Sequence, residues 1–139
     1  MIVLVDTDVL IDVALARDPF YEPAAALLDS LERRPGTAFL AWHSVSNFYY
    51  LVSASRGRVT ARDFLLDLGR FVDIAPTTTE SLRIAGTLEM ADFEDALQVA
   101  AALAADAELI ATRNLKDYSR SPIPAALPQA IVERIEGMI

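Results

Sequence analysis

The chain has 139 residues, 53% of them hydrophobic, with 20 acidic and 12 basic side chains and a net charge of −8. That length suits one domain spanning residues 1–139 with a sizeable core, and it lacks both the ~20-residue apolar run of a membrane span and the layout of a signal peptide, so a cytoplasmic protein with no membrane contact is expected. With no cysteine and a single histidine, His43, thiol chemistry, Cys- or His-ligated metal clusters and paired-histidine catalysis are excluded, and any chemistry falls to carboxylates.

The first element is an apolar strand near residues 2–6 that ends in Asp6-Thr7-Asp8. Open α/β sheets bind ligands outside the carboxyl ends of their strands, which makes Asp6 the first candidate for chemistry; a helix cap at Asp6 or Thr7 is the ordinary alternative. A helix follows near 8–16, on which Asp8 and Asp12 share a face, Asp8 as a neighbour supporting Asp6 and Asp12 as solvated charge. Next come a helix near 21–34, stopped by Arg34-Pro35-Gly36, a strand near 37–41 and a helix near 44–56 carrying Asn47. His43 beside Trp42 reads as structural, and the pairs Phe20-Tyr21 and Tyr49-Tyr50 as core. Thr60 is a fitting cap for a helix near 61–70, followed by a strand near 71–75 and a helix near 79–89.

Asp92-Phe93-Glu94-Asp95-Ala96-Leu97-Gln98 opens a helix near 93–105 that is otherwise almost wholly apolar, hence buried. Asp92 suits its N-cap, with Asp95 at the third helical position, while Asp95 and Gln98 form a polar stripe on a core element. A strand near 108–112 then ends in Thr112-Arg113-Asn114, with Asp117 able to fold back from a turn of helix. An edge strand near Ile123 and a helix near 128–137, opened by Pro128, complete the series. Alternating strands and helices imply an α/β fold around a mostly parallel sheet of 4–5 strands. The two arginine-rich groups, Arg56/Arg58/Arg62 and Arg113/Lys116/Arg120, read either as solvated charge or as phosphate forks.

Carboxylates gathered at Asp6, Asp95 and Asp117 would repel one another unless cations lie between them, and an oxygen-only donor set suits Mg²⁺ or Mn²⁺. Such ions activate water and stabilise phosphodiester cleavage without a histidine base.

In order and spacing these segments resemble the PIN-domain family of metal-dependent ribonucleases, which includes the VapC-type toxins of bacterial toxin–antitoxin pairs. The landmarks are Val5-Asp6-Thr7-Asp8-Val9-Leu10, Asp92 to Gln98, and Thr112 to Tyr118. The resemblance implies a three-layer α/β/α sandwich and an endoribonuclease with Asp6, Asp95 and Asp117 as catalytic, metal-holding acids. It places Thr112 and Asn114 in polar positions beside them, with Mg²⁺ or Mn²⁺ as cofactor and a cognate antitoxin and a second copy of the chain as partners; Asn47 and Asp92 are the further supporting candidates, and Arg113 and Lys116 of the second basic group are the candidates for the RNA substrate. Asn47 stands where the family usually has a glutamate, as in a subgroup with Asn there; it lowers the charge of the site, and Glu94 or Asp92 could compensate. Two other readings fit part of the pattern. A haloacid-dehalogenase-type phosphotransferase shares the strand and Asp-x-Asp, but Lys116 is the only lysine and no Gly-Asp pair exists. A non-catalytic PIN-like module that binds RNA or protein is the other.

Overall fold

The computed structural model describes residues 1–137. Five strands form one sheet: β1 (Val3–Val5), β2 (Ala38–Leu40), β3 (Val72–Ile74), β4 (Leu109–Ala111) and β5 (Ala125–Ala126). Their order is β3-β2-β1-β4-β5, and every neighbouring pair is parallel. Among the described residues seven α-helices flank them: α1 (Thr7–Ala14), α2 (Tyr21–Glu32), α3 (Trp42–Arg56), α4 (Arg58–Leu68), α5 (Thr79–Thr87), α6 (Phe93–Ala104) and α7 (Pro128–Gly137). A short 3-10 turn, Leu115–Tyr118, follows β4. No described helix is long and apolar enough to cross a membrane.

Alternation along the strands separates the layers. Val3 and Val5 of β1, Ala38 and Leu40 of β2, and Leu109 and Ala111 of β4 face a core filled by α1, α2, α3, α4 and α7. Leu4 and Ile110 point the other way, into a core built from the alanine-rich face of α6. Strands buried on both faces read as continuous apolar runs, as Ile2-Val3-Leu4-Val5 does. Val99, Ala101 and Ala102 let α6 lie close against the sheet, each 0–1% exposed. The expected three-layer α/β/α sandwich is the observed one.

Several boundaries differ from expectation for identifiable reasons. α3 starts at Trp42, two residues early, and α4 at Arg58 rather than after Thr60. Gly57, at φ +90°, ends one helix and opens the next, so no hydroxyl cap is used. The last strand is Ala125–Ala126 rather than at Ile123, because Ser121 Oγ holds both the Ile123 amide (3.0 Å) and its carbonyl (2.6 Å) in a turn. The strands are three residues or fewer, yet single hydrogen bonds carry the pairing onward: the Asp6 amide donates to the Ala111 carbonyl (2.9 Å) and that of Thr112 to Ala126 (3.1 Å).

The chain passes from β1 through β2 to β3 on one side of the sheet and continues with β4 and β5 on the other. β1 and β4 therefore flank the point where strand order reverses, and a crevice opens beyond their carboxyl ends. Asp6 and Thr112 are the first residues past those ends.

Candidate functional site

Asp6 is 8% exposed, and three side chains from three elements converge on it. Thr112 Oγ1 and the Tyr118 hydroxyl each donate to Oδ2 at 2.9 Å, and Gln98 Nε2 reaches Oδ1 at 3.4 Å. Gln98, fully buried on α6, also donates to Ser44 Oγ (2.8 Å) and Thr7 Oγ1 (3.3 Å), while Thr7 donates to Ser44 (2.8 Å). The first turns of α1 and α3 and the body of α6 are thus tied to one carboxylate. Burial raises the Asp6 pKa, and the hydrogen bonds from Tyr118 and Thr112 oppose that rise. Burial and the Asp6 charge push the Tyr118 phenol upward, so it remains a donor.

Asp8 sits beside this group and takes the Arg113 amide (3.2 Å), Asn114 Nδ2 (2.9 Å) and Thr112 Oγ1 (3.1 Å) on Oδ2. The single hydroxyl proton of Thr112 cannot serve both Asp6 and Asp8 at once. Burial first, and the Asp6 charge second, push Asp8 up to about 7. The Oδ1 atom of Asp8 is buried without a hydrogen-bond partner.

Asp92 caps α6 as expected, accepting from the Glu94 (2.8 Å) and Asp95 (3.3 Å) amides. Asp95 lies in that first turn, and burial, followed by the charges of Asp92, Asp117, Asp6 and Glu94, pushes it up to about 7. Asn47 Nδ2 donates to Glu94 Oε1 at 3.4 Å, so the neutral side chain on α3 brings a carboxylate from α6 to its position. Burial and the Asp6 and Asp92 charges raise Glu94. His43 Nε2 is 3.7 Å from Glu94 Oε1, and burial lowers the His43 pKa.

Asp6, Asp8, Asn47, Asp95, Asn114 and Asp117 line one cleft of about 580 Å³. A second cleft of similar volume shares Asp92, Asp95 and Asp117 with it and is also lined by Lys116 and Arg120. Asp117 belongs to both because the 3-10 turn folds it back from β4. Among the described residues, no three His, Cys, Asp or Glu side chains are drawn together into a ready cation cage. The donors are nonetheless all oxygens, burial and neighbouring carboxylates push two of them, Asp8 and Asp95, up to about 7, and a buried carboxylate oxygen of Asp8 lacks a partner. This fits a hard ion of the Mg²⁺ or Mn²⁺ type, which is held by one or two carboxylates plus water and substrate oxygens rather than by an all-protein cage.

Arg113 stands apart from both clefts. Its Nε donates to Asp12 Oδ2 at 2.8 Å and its guanidinium lies 4.3 Å from the centre of the Phe20 ring, which pins the Thr112–Asn114 loop to α1. Asp12, expected in solvent, is 2% exposed: the cation that permits its burial lies 101 residues away in sequence. Tyr50 is likewise corrected, being 72% exposed rather than core, and Phe20 is 39% exposed. Sequence reasoning missed Tyr118 and Ser44. Tyr118 carried a signal, as a large aromatic directly after Asp117 in a polar segment; Ser44 carried none.

A PIN domain family profile matches residues 2–116. Among solved structures, the chain is similar to one in VapBC2 from Rickettsia felis bound to a DNA fragment from its promoter, with TM-score 0.69 and 19% identity over 91% of this chain and 98% of that one. It is similar to a chain of FitAB bound to the IR36 DNA fragment, with TM-score 0.70 and 17% identity over 92% and 96%. It is also similar to Mycobacterium tuberculosis VapC20, described as a sarcin-ricin loop cleaving toxin, with TM-score 0.68 and 18% identity over 87% and 95%. No curated sequence matches this chain.

Two outcomes follow from the electrostatics. Arg113→Ala strands the Asp12 charge and is expected to cost about 3 kcal/mol in urea unfolding, whereas the double variant Asp12→Leu/Arg113→Met recovers most of that loss. Asp8 and Asp95 bind a proton more tightly in the folded protein than in the unfolded chain, where they titrate near 4. Their contribution to stability is therefore greatest at low pH, is lost as pH rises through about 7, and is flat above it. In EDTA the melting temperature is expected to be roughly 2–6 °C higher at pH 5.5 than at pH 8, and Asp95→Asn should shrink that difference.

Proposed function

From the membership of this chain in the PIN-domain family, we propose that it is an endoribonuclease that hydrolyses RNA phosphodiester bonds with Mg²⁺ or Mn²⁺, and that it serves as the toxin of a toxin–antitoxin pair. The observation that carries this reading is the buried Asp6 at the β1/β4 switch point, opening onto a cleft walled by Asp95 and Asp117. Asp6, Asp95 and Asp117 are the residues that would hold the ion. When bound, such an ion activates water and stabilises charge on a cleaving phosphodiester.

The chain's own residues account for the rest. Thr112, Tyr118 and Gln98 fix the Asp6 carboxylate through hydrogen bonds, so it does not have to reorganise when substrate arrives. Asn47 and Glu94 close one side of the cleft as a linked pair. Asp95 and Asp8, both poised near neutrality, can give up a proton as positive charge enters. Lys116 and Arg120, which line the adjoining cleft with Asp92, Asp95 and Asp117, offer cations to the flanking phosphates of a bound strand. Arg113 acts by holding the loop to α1.

The toxin part of the proposal is supported by the family resemblance to VapC-type toxins and by the similar structures, of which VapBC2 and FitAB are bound to DNA and VapC20 is a sarcin-ricin loop cleaving toxin. On that reading the partners are a small antitoxin and a second copy of the chain.

Purified protein is expected to cut single-stranded RNA with Mn²⁺ or Mg²⁺ and not with EDTA. Asp6→Ala should lose at least about a hundredfold in rate, of the order of removing a principal charge-stabilising group, while retaining its circular dichroism spectrum. Undiminished cleavage by Asp6→Ala, followed on a labelled oligonucleotide, contradicts the assignment.

A further inference from the structure

The rim of the acidic cleft carries an aromatic surface, at Trp42 and Tyr50, that neither the carboxylates nor the core uses. α3 turns Asn47, Tyr50 and Leu51 toward the cleft, at the three- and four-residue spacing of one helix face. Its adjoining stripe, including Trp42, Tyr49 and Tyr50, forms an apolar groove of about 420 Å³ with Arg62 and Leu66 of α4. Tyr50 lines both, so it is the ridge across which the cleft and the groove communicate. Trp42, Tyr50 and Leu66 are 67%, 72% and 66% exposed, and so many large side chains in one exposed patch mark a binding surface rather than incidental exposure. Tyr49 braces Tyr50 edge-to-face, with ring centres 5.7 Å apart.

We propose that this groove is a nucleobase subsite: an unpaired base next to the bond being cut stacks on Tyr50, and its neighbour packs beside Trp42. The proposal rests on the nuclease reading and extends it to how the substrate is held. Continuity with the acidic cleft favours RNA over a protein occupant, because a strand whose phosphate lies among the carboxylates has its adjacent base within reach of the cleft rim where Tyr50 stands. The composition favours it too: aromatic rings edged by His43, Ser46 and Arg62 suit flat bases with polar rims. Bases inside a duplex cannot reach such a platform, so the subsite selects single strands and loops. Stacking tolerates every base, so Tyr50 contributes affinity and strandedness rather than sequence preference.

The test uses the full chain with Mn²⁺ and an oligoadenylate. Tyr50→Ala is expected to raise KM about thirtyfold, the middle of the range for losing one base stack, with kcat little changed; Tyr50→Phe should restore wild-type KM. The slope of log KM against log salt concentration should stay the same, since no phosphate contact is removed. Trp42 is the only tryptophan, and its emission should be quenched by a slowly cut phosphorothioate oligoadenylate and not by a duplex. Cleavage that proceeds with Trp42 emission unmoved and Tyr50→Ala kinetically normal overturns the subsite and leaves the nuclease reading standing. Sedimentation showing that Trp42→Ala and Leu66→Ala dissociate a wild-type dimer also overturns it, by making the groove an interface between copies. Absence of any Mn²⁺-dependent cleavage removes the nuclease reading and this proposal together.

Discussion

A carboxylate buried at the end of the central strand is the constraint around which this molecule is arranged. Asp6 is fixed at that depth by a backbone hydrogen bond from its amide to Ala111 of β4. A charge so placed is costly unless donors meet it, and the donors come from α6, the end of β4 and the 3-10 turn, elements far apart in sequence. Meeting that requirement also sets the rest of the geometry. Gln98 can reach Asp6 only if α6 packs tightly on the sheet, which its alanines allow, and that packing delivers the α6 N-terminus, with Asp92, Glu94 and Asp95, to the same crevice.

The crevice then contains more acid than it can hold ionised. Hydrogen bonds satisfy Asp6, and Asp92 is spent on its helix cap, but Asp8 and Asp95 are left with raised affinities for protons. Protons and divalent cations are alternative ways to relieve the same repulsion. The arrangement is therefore unstable against taking up positive charge, and that is the physical basis for the nuclease reading. The substitution at Asn47 is accommodated within the same logic, since its amide holds Glu94 in the cleft. Away from the cleft, the Asp12–Arg113 pair shows the opposite solution, in which a buried acid is neutralised by a dedicated arginine from within the chain.

The layers were legible because the central strands β1 and β4 are buried on both faces and read as short apolar runs, and because α6 is apolar nearly all round. Asp6, Asp95 and Asp117 were legible as acids at strand ends or first helical turns, and the structure gathers them along one cleft. What could not be read was any property set by a distant partner. Asp12 reads as solvated until Arg113 is known to reach it, and Tyr50 reads as core until the buried face of α3 is known to be that of Ser44, Phe48 and Val52. The start of α4 was misplaced because a glycine at positive φ replaced the hydroxyl cap that the composition around Thr60 offered. Ser44 and Tyr118 acquire their roles only through contacts closed by the fold.

The central claim is that the cleft formed around Asp6 takes up a divalent cation through its own carboxylates. Calorimetric titration of Mn²⁺ into the wild-type protein and into Asp95→Asn at neutral pH tests it most directly. Saturable binding to the wild type, weakened at least about tenfold by loss of the carboxylate charge at position 95, is the predicted result; no Mn²⁺ binding by the wild type, or equal binding by both proteins, would contradict it.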